Sequence, residues 1–352
     1  MSNEYSYNAE VGCLSIRADR IHLQPAQDIQ PAQASGLIAG AQRRSTDNER
    51  YESVMNKKIL IAENPSAGAR DKQSLLSDLK EGLIERGYQV EQESDQKRIQ
   101  DILAIGDSTN EEKIECVICA GGDGTIGFVA NCSAPATPLA ILPLGTENVL
   151  AKQLGFDCDI NRLMDKIDSS KTFTLDAGEA NGQLFLAVAS VGFDAEVVRL
   201  LSARRTGHID HTTWIRPILQ ALGGYRFPKI RVRTEGSEKA VHTRWAFVFN
   251  VPRYALGLRF VAEGDFADGR LDLCCFRGGR WWNGLRYFVG VLFGWHRSWR
   301  DTHVEQVTQI VIESDEAVPY QLDGDPGGEL PVTIRVLPGR LTFVGRSPVA
   351  DL

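Results

Sequence analysis

Residues Cys116–Phe128 read CVICAGGDGTIGF. The run Cys116–Ala120 is of buried-strand type, and it stops at Gly121, Gly122 and Gly124, with Asp123 among them. Glycines after a strand let backbone amides converge on a phosphate without Cβ interference, as a nest or a helix N-terminus does. No lysine follows, so this is not the phosphate loop in which lysine neutralises the ligand. Asp123 therefore has two readings. It holds Mg²⁺ directly or through water, the metal carrying the positive charge, or it orders the turn by bonding backbone amides. The residues leave both open.

Working outward, KKILIAENPSAGAR (57–70) places a short apolar strand at Ile59–Ala62, followed by a turn at Asn64-Pro65 and Gly68. A helix follows, with Leu75, Leu76, Leu79, Leu83 and Ile84 on one face and Gly87 as its stop. A second strand begins over Tyr88–Glu91, and a charged helix-like segment leads to Cys116–Ala120. After the helical IGFVANC, a strand at Leu139–Leu142 leads into PLGTEN (143–148) and a helix through Leu154. Alternating strand and helix predicts a parallel α/β sheet, whose ligands bind at the carboxyl ends of the strands. Both GGDGT and PLGTEN stand at such ends.

Beyond Asp176 the pattern changes. FLAVASVGF, KIRVRTE, TRWAFVFNV, LDLCCF, TQIVIES and VTIRVLP alternate or run continuously apolar, which predicts a second, mainly antiparallel β domain. The expected organisation is a mobile polar extension over 1–55, an α/β domain over 56–178 and a β-rich domain over 179–332. A last strand from about 333–350 is left free to return to the first domain. The extension includes QPAQDIQPAQASG (24–36), close to low complexity, and the charged start MSNEYSYNAEVGCLSIRADR is not a signal peptide.

The 352 residues exceed the usual size of one domain, and 43% hydrophobic residues suffice for a sizeable core. A net charge of −7 argues against a nucleic-acid partner. Seven cysteines in a chain this long give no disulfide framework, and a cytoplasmic setting is the default. Cys116 and Cys119 lie three apart in a strand and point to opposite faces, so they read as buried structural residues rather than a metal pair.

The spacing of GGDGT and PLGTEN, with NPSAG upstream, resembles the catalytic domain of the diacylglycerol kinase-like lipid kinases, which include bacterial lipid kinases, sphingosine kinases and ceramide kinases. The resemblance continues through SVGFDAEV (Ser190–Val197), DFADGRLD (Asp265–Asp272) and YQLDGD (Tyr320–Asp325), over roughly residues 57–348. It implies a Rossmann-like parallel α/β domain and a C-terminal antiparallel β-sandwich, with ATP and Mg²⁺ as cofactors. It implies a nucleotide loop at Gly121, Gly122, Asp123, Gly124 and Thr125, with Thr146 as a further phosphate contact. Asn64 and Ser94 or Asp95 fall where the family places the nucleotide's other end. Asp123 and Asp176 match acids of its magnesium network. The DFADGRLD loop implies a structural Mg²⁺ on the Asp268 side chain and the carbonyls of Asp265 and Arg270. The base motif, DGE in the family, reads Asp323-Gly324-Asp325 here; Asp325 is favoured by position, with Asp323 as the alternative. Val149 stands where bacterial members usually carry an acid.

The chemistry suits these residues, because phosphoryl transfer requires positioning and charge cancellation with little covalent work by the protein. A lipid alcohol at a membrane surface is the implied acceptor, with a homodimer and peripheral membrane contact left open. A NAD kinase and a catalytically silent binding protein are the alternatives. His208 and His211 read as part of an exposed polar loop. The stretch Trp281–Trp295 is too short to span a bilayer. It reads as a buried helix or as one lying at a membrane interface.

Overall fold

The computed structural model describes residues 57–67, 72–106, 114–203, 215–237, 239–251, 260–261 and 266–347. The 1–55 extension, Gly68, the His208/His211 pair and Asp265 lie outside the described residues.

The first half alternates as its sequence predicts: β1 (Lys58–Glu63), α1 (Lys72–Glu85), β2 (Gln89–Glu93), α2 (Gln96–Gly106), β3 (Ile114–Gly121), α3 (Asp123–Cys132), β4 (Pro138–Pro143), α4 (Val149–Gln153) and α5 (Ile160–Asp168). The strands are parallel in the order β2-β1-β3-β4. Ile59–Ala62 and Leu139–Leu142 are almost fully buried, because helices cover both sheet faces and leave no polar side. Cys116 and Cys119 lie buried in β3, and burial pushes both thiols up, Cys119 to about 12. In α1, Leu76, Leu79 and Leu83 face the sheet, but Ile84 is 52% exposed, against expectation. At 3.6 residues per turn it stands ~100° around the helix from Leu83, beyond so narrow a stripe.

The chain then forms β5 (Thr172–Ala180), β6 (Gln183–Phe185), β7 (Val188–Val191), α6 (Phe193–Ser202), α7 (Ile215–Gly224), β8 (Ile230–Thr234), β9 (Val241–Thr243), β10 (Trp245–Phe249), β11 (Leu271–Phe276), α8 (Trp281–Leu292), a 3₁₀ turn (Trp295–Ser298), β12 (Thr302–Val307), β13 (Gln309–Ser314), β14 (Pro319–Leu322), β15 (Asp325–Glu329) and β16 (Val332–Val344). The second sheet is antiparallel throughout, in the order β12-β11-β10-β7-β14-β15. The long β16 lies parallel to β4 through Thr342 and Phe343, and antiparallel to β5 and β13. Through it the first sheet continues into β13, β8 and β9, so its ten strands come from both halves of the chain.

A sandwich results. Val191, Val248, Leu273 and Tyr320 of the second sheet pack against Ile230, Val232, Ile310, Ile312 and Ile334 of the first. Strand β10 shows why these segments read as continuously apolar. Ala246 and Val248 enter the sandwich core, while Trp245, Phe247 and Phe249 face the opposite side, against Phe193 of α6 and Tyr287 and Val291 of α8. Both faces of the strand are covered.

Candidate active site

The predicted nucleotide residues gather at the carboxyl ends of the parallel strands. Asn64 follows β1, Ser94 follows β2, Gly121 ends β3, and Pro143, the first residue of PLGTEN, ends β4. The two glycine loops touch backbone to backbone. A Cβ on Gly145 would stand 2.5 Å from the Gly122 Cα and one on Gly122 3.2 Å from the Gly145 Cα, so Gly145 tolerates no side chain and Gly122 leaves little room for one. Asn148, in the left-handed region at φ 48°, holds the second loop: its Oδ1 accepts from the Gly145 amide (3.0 Å) and its Nδ2 donates to the Gly145 carbonyl (2.8 Å). Asparagine tolerates that backbone conformation and bonds its own loop, so it was legible as a turn residue.

Asp123 joins the loops. Its Oδ2 accepts from the Val149 amide and its Oδ1 from the Leu150 amide, each at 3.0 Å, at the start of α4. The amides it orders belong to the second loop rather than to its own turn. Val149 contributes through its backbone, which is indifferent to the missing acid. On the first loop, α3 begins after Gly122 with no side-chain cap. The hydroxyl of Thr125 is buried without a hydrogen-bond partner, and a Cβ on Gly124 would meet nothing within 4 Å. An uncapped helix start, an unsatisfied buried hydroxyl and a glycine that no protein atom demands suit a bound phosphate. Thr146 is exposed on the facing loop.

The outer strand ends are built differently. Asn64 Oδ1 accepts from the Ser66 amide (2.9 Å), an Asx turn. Ser94 is exposed, with its amide bonded to Glu93 (2.8 Å). Asp95 takes the Arg98 amide (2.9 Å) at the start of α2, a capping bond.

From the second sheet comes Asp323. Asp323 and Gly324, at φ 51° and 92°, form the two-residue loop between β14 and β15, the left-handed pair that Asp-Gly favours in hairpins. The Asp323 carboxylate accepts from the amides of Leu186 (2.6 Å), Ala187 (2.8 Å) and Val188 (2.8 Å). Desolvation pushes its pKa up to about 6; those amides oppose the shift, and the charge of Asp123 adds to it. The GGDGT aspartate and the base-motif aspartate thus lie within electrostatic reach of each other. Behind the turn, Gln321 Oε1 accepts from the Gly324 amide (2.7 Å), and its Nε2 donates to the Ser190 hydroxyl (2.9 Å), which bonds Asp194 (2.6 Å). SVGFDAEV and YQLDGD therefore share one buried polar network. Asp325, by contrast, is exposed at the start of β15.

The DFADGRLD loop is tied to Asp176. One Asp176 oxygen accepts from the Gly269 amide (2.7 Å) and the other from the Gly339 amide (2.8 Å). Asp268 accepts from the Arg270 amide (2.9 Å) and from Gln306 (3.3 Å), and burial with the Asp268 charge raises the pKa of neighbouring Asp272. Asn250, which no sequence motif marks, links this region to the turn. Its Nδ2 donates to the carbonyls of Asp176 and Leu186, each at 2.9 Å, and its Oδ1 is buried without a partner. Among the described residues no three acidic, histidine or cysteine side chains gather to hold a metal. Such partial carboxylate sets suit Mg²⁺, which one or two carboxylates hold together with waters and substrate phosphates.

Comparison with known proteins agrees with this layout. Residues 58–180 match the family model of the diacylglycerol kinase catalytic domain, and residues 187–345 match that of the YegS C-terminal NAD kinase beta sandwich-like domain. A diacylglycerol kinase of Staphylococcus aureus (strain MRSA252) is 31% identical over 286 residues, covering 79% of this chain and 89% of that protein. One of Bacillus subtilis (strain 168) is 24% identical over 288 residues, covering 78% and 92%. A crystal structure of a diacylglycerol kinase from Bacillus anthracis superposes with a TM-score of 0.59 at 21% identity, covering 84% of this chain and 98% of that one.

Proposed function

Because the chain belongs to the diacylglycerol kinase-like family of lipid kinases, we propose that it transfers the γ-phosphoryl group of ATP, with Mg²⁺, to the hydroxyl of a lipid alcohol such as a diacylglycerol or a sphingoid-type alcohol. The opposition of Asp123 and Asp323 carries this reading. One belongs to a loop suited to phosphate, and the other is a carboxylate whose pKa of about 6 suits proton removal near neutral pH.

The amides at the start of α3 receive the phosphates, aided by the helix dipole and the Thr125 hydroxyl. Asp123, whose oxygens already accept the Val149 and Leu150 amides, would hold Mg²⁺ on the nucleotide side through a remaining lone pair or a water, and Asp268, with Asp272 beside it, would hold the structural ion; bound metal would supply positive charge to the phosphate oxygens. Asp323 accepts the proton of the acceptor hydroxyl. A carboxylate offers about four lone-pair sites, and three are engaged by amides, so one remains. Asp323 thus fits the base role better than the exposed Asp325, the residue favoured by motif position.

Purified protein given γ-labelled ATP and Mg²⁺ with diacylglycerol micelles, a total lipid extract or NAD tests this. Label in a phospholipid product is expected. Label only in a dinucleotide, or in no product, would overturn it.

A further inference from the structure

Helix α8 carries two opposite apolar faces. Its inner face, Tyr287 and Val291, packs on the second sheet, and Gly290 lets it approach Trp299: a Cβ there would stand 2.3 Å from that ring. The Tyr287 hydroxyl donates to Asp301 (2.7 Å) and accepts from the Gly278 amide (2.8 Å). In the turn that follows, His296 is wholly buried between the carbonyls of Gly290 and Phe260. The helix is therefore firmly seated, and among the described residues its other face packs against no partner. Trp281, Leu285, Phe288 and Leu292 recur along that face at helical spacing and are 57%, 63%, 47% and 57% exposed; Phe293 and Trp295 extend the patch. Isolated exposed apolar residues are ordinary, but a contiguous aromatic patch marks an interaction surface.

The surrounding charge identifies the partner. From Arg277 to Arg300 the chain carries five arginines, Arg277, Arg280, Arg286, Arg297 and Arg300, in a protein of net charge −7; Arg286 pairs with Asp301, the acid that follows, which leaves the other four to set the local charge. All five are exposed, and the guanidinium of Arg280 lies over the Trp282 ring at 4.9 Å. A second copy of the chain would set these arginines against themselves across a two-fold axis. An anionic lipid surface meets them with opposite charge and receives the apolar face in its acyl boundary. The 12 residues of α8 span about 18 Å, short of a ~30 Å hydrocarbon core, and no helix among the described residues is long and apolar enough to cross a membrane. We infer that α8 and the turn after it form an in-plane docking surface for anionic bilayers.

This deepens the lipid-kinase reading, on which it partly rests, because a bilayer is where such an acceptor resides. The test separates the two. The full-length protein is floated without ATP on vesicles of phosphatidylcholine, with and without phosphatidylserine, neither of which offers an acceptor hydroxyl. The wild type should float with the anionic vesicles, its tryptophan emission shifting to the blue. Leu285→Ser/Phe288→Ser should weaken this at least ~10-fold while melting like the wild type. Arg280→Glu/Arg300→Glu should weaken binding to the anionic vesicles selectively. Failure of the wild type to float, equal flotation by all three proteins, or a wild-type dimer in sedimentation that the serine variant dissolves would each overturn the inference.

Discussion

The carboxylate of Asp123 reaches across to the start of α4 and accepts the amide of Val149 at 3.0 Å. With its bond to Leu150 it locks the two phosphate-side loops together. Asp123→Ala leaves two amides without acceptors, at a cost of about 1–3 kcal/mol. A lowered melting temperature is expected together with loss of phosphoryl transfer. An unchanged melting curve would show that the link is dispensable.

Substitutions at glycines 124 and 145 should have opposite effects on stability. Gly124→Ala meets open space within a helix, so it should stabilise the protein by about 0.5–1 kcal/mol while weakening ATP binding. Gly145→Ala forces a Cβ to within 2.5 Å of Gly122 and should lower both stability and affinity. Calorimetric titration alongside thermal melting checks both, and unimpaired ATP affinity in Gly124→Ala would remove the phosphate from this loop.

Asp323 predicts a pH dependence. Its pKa is raised from 3.8 to about 6, so the native state holds this proton more tightly than the unfolded chain. The resulting stability, on the order of 3 kcal/mol, is fully present below pH ~4 and is lost as pH rises through about 6. Activity should run the other way, with an acid limb near pH 6 as the base ionises. Asp323→Asn should remove that limb and cut turnover by ~10²–10⁴, with some destabilisation because an amide then faces backbone N–H groups. Asp325→Asn should keep both limb and turnover. The reverse pattern would return the base role to Asp325.

At the DFADGRLD loop, burial raises the pKa of Asp272, and the nearby charge of Asp268 adds to the shift. If Mg²⁺ relieves this, the wild type should melt higher in Mg²⁺ than in chelator. Asp268→Ala should lose that difference and melt no lower than the wild type in chelator. Equal melting of the wild type in both conditions would leave the loop a turn only.

Asn250 joins Asp176 to Leu186, and Leu186 holds Asp323. Asn250→Leu should cost about 1–3 kcal/mol by stranding two carbonyls. It should lower kcat more than it raises the KM for ATP, since the defect lies on the base side. A matched change in both parameters would argue against a positioning role.

Much of this protein is legible in its sequence. Cys116–Ala120 followed by Gly121 and Gly122 specifies a strand ending in a tight loop, because periodicity and glycine's lack of a side chain act locally. The same holds for the α/β alternation and the β-rich second half. Five ordered motifs identify the family, since each brings its own backbone requirement. Tertiary structure decided what depends on contact between distant segments. Asp123 serves the second loop and not its own turn, because Val149 lies opposite it only after β3 and β4 pair. Of two aspartates in one hairpin, the partners of Asp323 are the amides of Leu186–Val188, about 135 residues away in the chain. Asn250 carries no motif because its role is to receive two loops. The outward face of α8 was equally hidden: an apolar helix reads the same whether one side or both are covered, and only the packing of Tyr287 and Val291 shows which side faces the sheet.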